Sequence, residues 1–311
     1  MKPYTFLGHL ALILGLASCR VDQAIEAEDS WFYSRRPTQN VVTPVGADTL
    51  HWTQVGTGTD TLVLVHGFGP YPTVQWQPVV WKYSDTKTIL VVDLLGFGRS
   101  TSPDSTVRVS QQVAALKSAL DAHGIAQIHL VGHSYGGMVS TLFASQYPER
   151  VRSLVLIDPL HRHFELKHLD SLQRAWGRPI EEVLLPRDVE SYDAMMQVSV
   201  YDPFFLPAFM KQQVLETIYR ENIPQRESML RAVRQDEAWI REQAKGSAVP
   251  TLLIWGAHDA LFPPRGAGQL AQDFPRSRTV LIPKAGHIPH MERPFAVLDS
   301  LEVFFSAQSP K

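Results

Sequence analysis

Gly132-His133-Ser134-Tyr135-Gly136 is the stretch on which the reading of this chain turns. Ile128 to Gly132 is a short apolar run, the pattern of a strand buried on both faces, and Met138 to Tyr147 has helical character. A strand that passes into a helix within so few residues turns sharply. A serine at the centre of that turn is held in a strained backbone conformation and shown at the sheet edge, while the glycines two before and two after let neighbouring chain approach closely. The serine also sits at a helix N-terminus, where unpaired N–H groups and the dipole favour developing negative charge.

Outward from this unit the same rhythm continues. Thr61 to His66, Thr88 to Asp93 and Val151 to Asp158 read as buried strands, and Thr251 to Trp255 and Thr279 to Ile282 as two more strands. Val41 to Val45 and Thr49 to Val55 read as a pair joined by the turn around Gly46. Val107 to His123 and Phe295 to Phe305 carry helical spacing. The alternation predicts an α/β fold, a mostly parallel sheet flanked by helices. Residues 160–246 break the rhythm: they hold helical patterns such as Gln213 to Tyr219 and Met229 to Gln243, prolines in the connections and no convincing strand. They are expected to form a helical lid inserted between two parts of the core, 45–159 and 247–311.

A chain of 311 residues, 44% hydrophobic, with a formal charge of -2 is ordinary globular composition and lacks the basic footprint of a nucleic-acid binder. A small, weakly charged substrate suits it better.

A serine is a poor nucleophile at neutral pH unless a base lies within hydrogen-bond reach. His287, in Ala285-Gly286-His287 after the last strand, is the candidate base, with His290 its rival three residues on. The acid that orients the base is read as Asp259, after Trp255-Gly256-Ala257-His258, with Asp158, at the end of another strand, as the alternative. The backbone N–H groups of Phe68, in His66-Gly67-Phe68-Gly69, and of Tyr135 are the candidate donors to a developing oxyanion. His66 is expected to hold its loop by hydrogen bonds, and Asp93 to fix the glycine-rich turn Leu94 to Ser100. His161, His163 and His168 lack carboxylates at ligand spacing and are read as solvated surface rather than a metal site. Phe204, Phe205, Leu206, Phe209 and Met210 read either as the wall of an acyl-binding cleft or as the lid's own core.

Taken together and in this order, His66 to Gly69, Asp93 to Ser100, Gly132 to Gly137, Trp255 to Asp259 and Gly286-His287 resemble the α/β-hydrolase superfamily from about Val41 to the end. Met291-Glu292-Arg293-Pro294 and the lid length resemble monoacylglycerol-lipase-like and bacterial esterase members. The resemblance implies hydrolysis of carboxylic esters through an acyl-enzyme, without metal or organic cofactor. Serine at the elbow disfavours the dehalogenase and epoxide hydrolase relatives, which place aspartate there. It leaves open a carbon–carbon bond hydrolase, a cofactor-free haloperoxidase, an acyltransferase, or a lipid-anchored protein that binds a ligand without turnover.

The amino terminus tells of location. Lys2, an apolar run from Phe6 to Ala17 and the small residues before Cys19 have the layout of a secretory signal, and the run is well short of the ~20 residues a membrane-spanning helix needs. Leu16-Ala17-Ser18-Cys19 resembles the lipobox of bacterial lipoproteins, whose cysteine is diacylated and becomes the new terminus; a plain signal with an incidental cysteine is the alternative. The expectation is a signal peptide over 1–18, a lipid-anchored tether over 19–44, and a place in the bacterial cell envelope, on the outer membrane or the outer face of the cytoplasmic membrane. Trp31, Phe32 and Tyr33 either pack on the body or sit at the lipid interface.

Overall fold

The computed structural model describes residues 21–69, 72–165 and 167–308. The expected signal peptide, residues 1–18, and Cys19 lie outside the described residues. The chain begins with helix α1 (Val21–Ser34), followed by strands β1 (Thr38–Val45), β2 (Asp48–Val55) and β3 (Asp60–Val65). Then come α2 (Pro72–Tyr83), β4 (Lys87–Asp93), α3 (Val109–Ala122), β5 (Ile128–His133), α4 (Ser134–Gln146) and β6 (Val151–Ile157).

Six α-helices and one π-helical turn (Leu215–Tyr219) follow without an intervening strand among the described residues: α5 (Lys167–Trp176), α6 (Ile180–Leu184), α7 (Val189–Ser199), α8 (Ala208–Val214), α9 (Ile223–Gln235) and α10 (Glu237–Gln243). The last part is β7 (Thr251–Gly256), α11 (Arg265–Ala271), β8 (Ser277–Ile282), α12 (Pro289–Glu292) and α13 (Pro294–Ser306).

The eight strands form one sheet in the order β1-β2-β4-β3-β5-β6-β7-β8. The pairs β1·β2 and β2·β4 are antiparallel and all the others are parallel, so the expected α/β architecture is the one observed. The central strand β5 is buried at every position, because helices cover both faces; the edge strand β1 is mostly exposed on its outer side. One core cluster packs α3 and α4 against one face, with Leu130, Leu142 and Phe143 among its members. A second packs α2 and α13 against the other through Trp76, Val131 and Leu301. All the parallel strands point their carboxyl ends the same way, and the loops that carry Ser134, Asp158, Asp259 and His287 emerge there.

Three expectations need correction. Residues 21–34 are not an irregular tether but helix α1. Its apolar residues are interrupted by charge, which hides the helical period; it is held by apolar packing at its two ends and by polar contacts between them. Gln77 Nε2 donates to Glu28 and Asp29 at 3.0 and 2.9 Å, Thr73 donates to Asp29 at 2.8 Å, and the Tyr33 hydroxyl donates to the Thr73 carbonyl at 3.0 Å. Phe32 and Tyr33 accordingly pack on the body, while Trp31 stays exposed. The stretch Met229 to Gln243, expected as one helix, divides into α9 and α10 at Asp236, which pairs with Arg108 of the core.

The histidines after β6 are also not all solvated surface: His163 and His168 keep partial exposure. His161 is buried, and His163 and Arg162 both grip Asp273, at 2.7 Å and, for Arg162 Nε, 2.9 Å. A carboxylate 110 residues away supplies the partner that local spacing did not show.

Candidate active site

Ser134 is the first residue of α4 and has φ 54, one of four non-glycine residues with positive φ among those described. Such a conformation costs about 1–3 kcal/mol and persists only where the surroundings impose it. Here the Leu160 N–H donates to the Ser134 carbonyl at 3.1 Å, and α4 lies so close to β3 that a Cβ at Gly136 would collide with the carbonyl oxygens of Val65 and His66. The turn has no room to relax.

Ser134 Oγ lies 2.8 Å from His287 Nε2, and His287 Nδ1 lies 2.8 Å from Asp259 Oδ2. A carboxylate only accepts, so Nδ1 carries the proton and Nε2 is the acceptor free to receive one from the serine. Asp259 is fixed in turn: its Oδ1 accepts the N–H groups of Leu261 and Phe262, each at 2.9 Å. All three side chains are buried, and Ser134 lines a cleft that opens to solvent.

The loop that delivers His287 is held from three sides. Its N–H donates to the Ser199 carbonyl at 2.8 Å, and its carbonyl accepts from His133 Nε2 at 2.9 Å. The Glu292 carboxylate accepts the N–H groups of Gly286 and Tyr201, both at 2.8 Å, and so ties the loop to the helical insertion. Neither His133 nor Glu292 was singled out as a positioning residue from sequence, since each acts through backbone groups distant in the chain. Gly256 allows the same loop to lie on the end of β7, where a Cβ would strike the Gly286 carbonyl.

His290 is not beside the serine. It stacks on Trp76 with ring centroids 4.9 Å apart, and neither ring nitrogen has a partner among the described residues. Burial, and then the nearby His287, lower its pKa to about 3. Burial likewise lowers His66 to about 4, so its ring is neutral: Nδ1 donates to the Gly67 carbonyl at 2.6 Å and Nε2 accepts the Leu94 N–H at 3.0 Å, holding the loop as expected. Asp93 organises its turn by accepting the Arg99 N–H at 2.9 Å.

Asp158 is fully buried with φ 41. Its Oδ1 accepts the Gly256 N–H at 2.9 Å, and its Oδ2 has no partner among the ordinary donors described. Burial and then the Asp259 charge push its carboxyl well above the ordinary carboxylate range. Asp158, Asp259 and His287 offer atoms within 4.8 Å of one another, the spacing of a metal site. Hydrogen bonds already engage His287 Nδ1, both Asp259 oxygens and Asp158 Oδ1, which leaves a cation one free oxygen, on Asp158.

Tyr135 lies in the first turn of α4, where N–H groups lack an intrahelical acceptor. The Phe68 ring meets the Tyr135 ring edge-on at 5.5 Å, so the two loops whose N–H groups are the candidate oxyanion donors are packed together over Ser134. The cleft above the serine, about 600 Å³ including its open mouth, is walled by Leu169, Ile180, Leu184, Val233 and Phe262. Its charged lining residues, Glu181 and Arg234, face each other at 3.6 Å. Phe204, Phe205 and Phe209 do not line it.

A sheet with a strained serine at its edge and a histidine and acid delivered by later loops defines a class, the serine-centred hydrolases of this architecture. This chain belongs to the alpha/beta hydrolase fold family, which matches residues 60–294. Among its relatives, Lipase 1 of Psychrobacter immobilis is 29% identical over 256 residues, 79% of this chain and 77% of that protein. The pimeloyl-[acyl-carrier protein] methyl ester esterase of Pectobacterium carotovorum is 29% identical over 83% of this chain and 99% of its own length. Among solved structures, a putative lipase from Acinetobacter baumannii superposes with a TM-score of 0.77 at 21% identity, covering 92% of this chain and 96% of that one, a likeness of fold.

Two outcomes test this geometry. Asp259→Asn is expected to lower kcat by about 10³–10⁴-fold because it disturbs the tautomer of His287. Asp158→Asn, which keeps an acceptor for the Gly256 N–H, is expected to lose less than about tenfold; steady-state kinetics with the opposite ranking would exchange the two roles. Folding should also be sensitive to acid. His66, His161 and His290 have folded pKa values of about 4, 4 and 3 against 6.5 when unfolded, so their contribution is complete above pH 6.5 and is lost as pH falls toward 4, where the unfolded chain takes up protons that the core refuses. Urea midpoints should fall across that window, and His290→Phe should flatten the fall; an unchanged slope would contradict the buried neutral ring.

Proposed function

We propose that this carboxylic ester hydrolase works through an acyl-enzyme on Ser134, with His287 as general base and then general acid, and Asp259 holding the imidazole in its productive tautomer. The observation that carries the reading is the unbroken hydrogen-bonded chain from Ser134 Oγ through His287 to Asp259, each link 2.8 Å. As Oγ attacks the ester carbonyl, its proton passes to His287 Nε2, and the imidazolium that forms is stabilised by the ionised Asp259. The carbonyl oxygen becomes an oxyanion, received by the N–H groups of Phe68 and Tyr135; losing one such donor slows turnover by about 10²–10³-fold. His287 then gives its proton to the leaving alkoxide, the alcohol departs, and water attacks the acyl-serine with the same histidine as base.

The walls of the cleft suit an acyl chain, since its apolar residues far outweigh the mutually neutralising Glu181 and Arg234. The substrates are therefore small acyl or lipid-like esters. That similar chains include a lipase and a methyl ester esterase supports this class. We place the enzyme in the bacterial cell envelope, held at a membrane surface by acylation of Cys19, on the strength of Leu16-Ala17-Ser18-Cys19 following a short apolar run.

A fluorophosphonate probe should label Ser134, and p-nitrophenyl esters of short or medium acyl chains should be hydrolysed. Ser134→Ala should abolish both. Labelling without ester turnover would leave the serine activated and move the reading to another reaction of the same fold.

A further inference from the structure

The helical insertion carries an apolar strip that neither the cleft nor the core uses. Phe205 is 86% exposed, Phe209 65% and Phe204 45%, three large aromatic side chains within six residues. Leu206 and Met210, interleaved with them, turn the other way and pack in a satellite cluster with Tyr192, Val214 and Ile218. The segment thus has two faces, and only the inner one is satisfied. Exposed aromatics crowded on one element mark a surface that meets something apolar.

The start of the chain indicates what that is. Val21 and Ile25 of α1 belong to the same satellite cluster, and the Val21 N–H donates to Gln213 of α8 at 3.1 Å. Cys19 precedes Val21 by two residues, a reach of no more than about 7 Å along the chain. The chain therefore enters the body beside Phe209, directly after an apolar run and the residue that resembles an acylation site. A lipid surface that holds this terminus is within reach of the strip.

We propose that Phe204, Phe205 and Phe209 form a bilayer-docking surface that inserts beside the anchor point. Lys211, the cation within the strip's helix, is already paired with Asp193 at 2.5 Å, so attachment rests on burying aromatic rings rather than on attraction to anionic headgroups. Docking also bears on the site. The strip begins at Tyr201, whose N–H is held by Glu292, and Ser199, two residues earlier, accepts the His287 N–H. The surface that meets the bilayer is rooted in the segment that holds the histidine loop, which presents the cleft to acyl esters at the membrane. The anchoring half of this inference rests on the Cys19 reading above, and its benefit to catalysis on the ester reading.

The test uses the full chain, purified from membranes and reconstituted into phosphatidylcholine vesicles. A nitroxide on Phe205→Cys should become several-fold more accessible to oxygen than to a water-soluble nickel chelate when vesicles are present, with little change between low and high salt; unsubstituted protein treated in parallel reports any label on Cys19. The double variant Phe205→Ser/Phe209→Ser should hydrolyse a soluble short-chain ester within twofold of the parent and lose at least tenfold on a long-chain ester embedded in vesicles. A label that stays open to the chelate overturns the proposal. So does dipolar broadening between labels without lipid protection, which would assign the strip to a second copy of the chain. Equal loss on both esters overturns it as well, by returning the strip to the acyl cleft. Failure of the parent to hydrolyse either ester would strike the ester reading alone, because the nitroxide measurement reads docking without turnover.

Discussion

Much of this molecule is arranged around the backbone of one residue. Ser134 stands at φ 54 between β5 and α4, a conformation that an isolated serine avoids. The sheet imposes it from below, the helix from above, and the Leu160 N–H from the next strand's loop. The close passage of Gly136 beneath the carbonyls of Val65 and His66 shuts off relaxation toward β3. From that single constraint follow the aim of the hydroxyl at His287 and the place of the Tyr135 N–H at the start of a helix.

Burial sets the titration of several groups in the core. It lowers His66, His161 and His290 so that their rings are neutral, and it raises the Asp158 carboxyl. Asp259 is given two backbone donors and the imidazole N–H. A carboxylate held in this way gives the His287 Nδ1 proton one place to stay, which preserves the tautomer. The arrangement costs stability in acid, since every buried neutral imidazole resists the protons that the unfolded chain accepts.

What the sequence reveals here follows the reach of each interaction. The parallel strands are legible because burial on both faces leaves an unbroken apolar run, as in Leu130 and Val131 of β5 or Leu252 to Ile254 of β7. Ser134, His287 and Asp259 stand out because each ends or follows such a run, and the structure brings those side chains together. Helix α1 is not legible, because Glu28 and Asp29 dock through Gln77 and Thr73, side chains more than 40 positions away. The pairing of His163 with Asp273 and the clamp of Glu292 on Gly286 and Tyr201 escape for the same reason: a hydrogen bond between distant positions leaves no periodicity behind. The apolar cluster Phe204 to Met210 shows a further limit. Sequence cannot separate its inward residues from its outward ones when the backbone is only partly helical.

The central claim is that the Ser134 hydroxyl is made nucleophilic by the hydrogen-bonded chain through His287. It is tested most directly by stopping turnover of a p-nitrophenyl ester in acid within milliseconds and locating the acyl group by mass spectrometry. The account requires one acyl group on the peptide containing Ser134, a burst of p-nitrophenol equal to the enzyme present, and loss of both in His287→Ala. An acyl group on any other residue, or full acylation of Ser134 at the parent rate without His287, would contradict it.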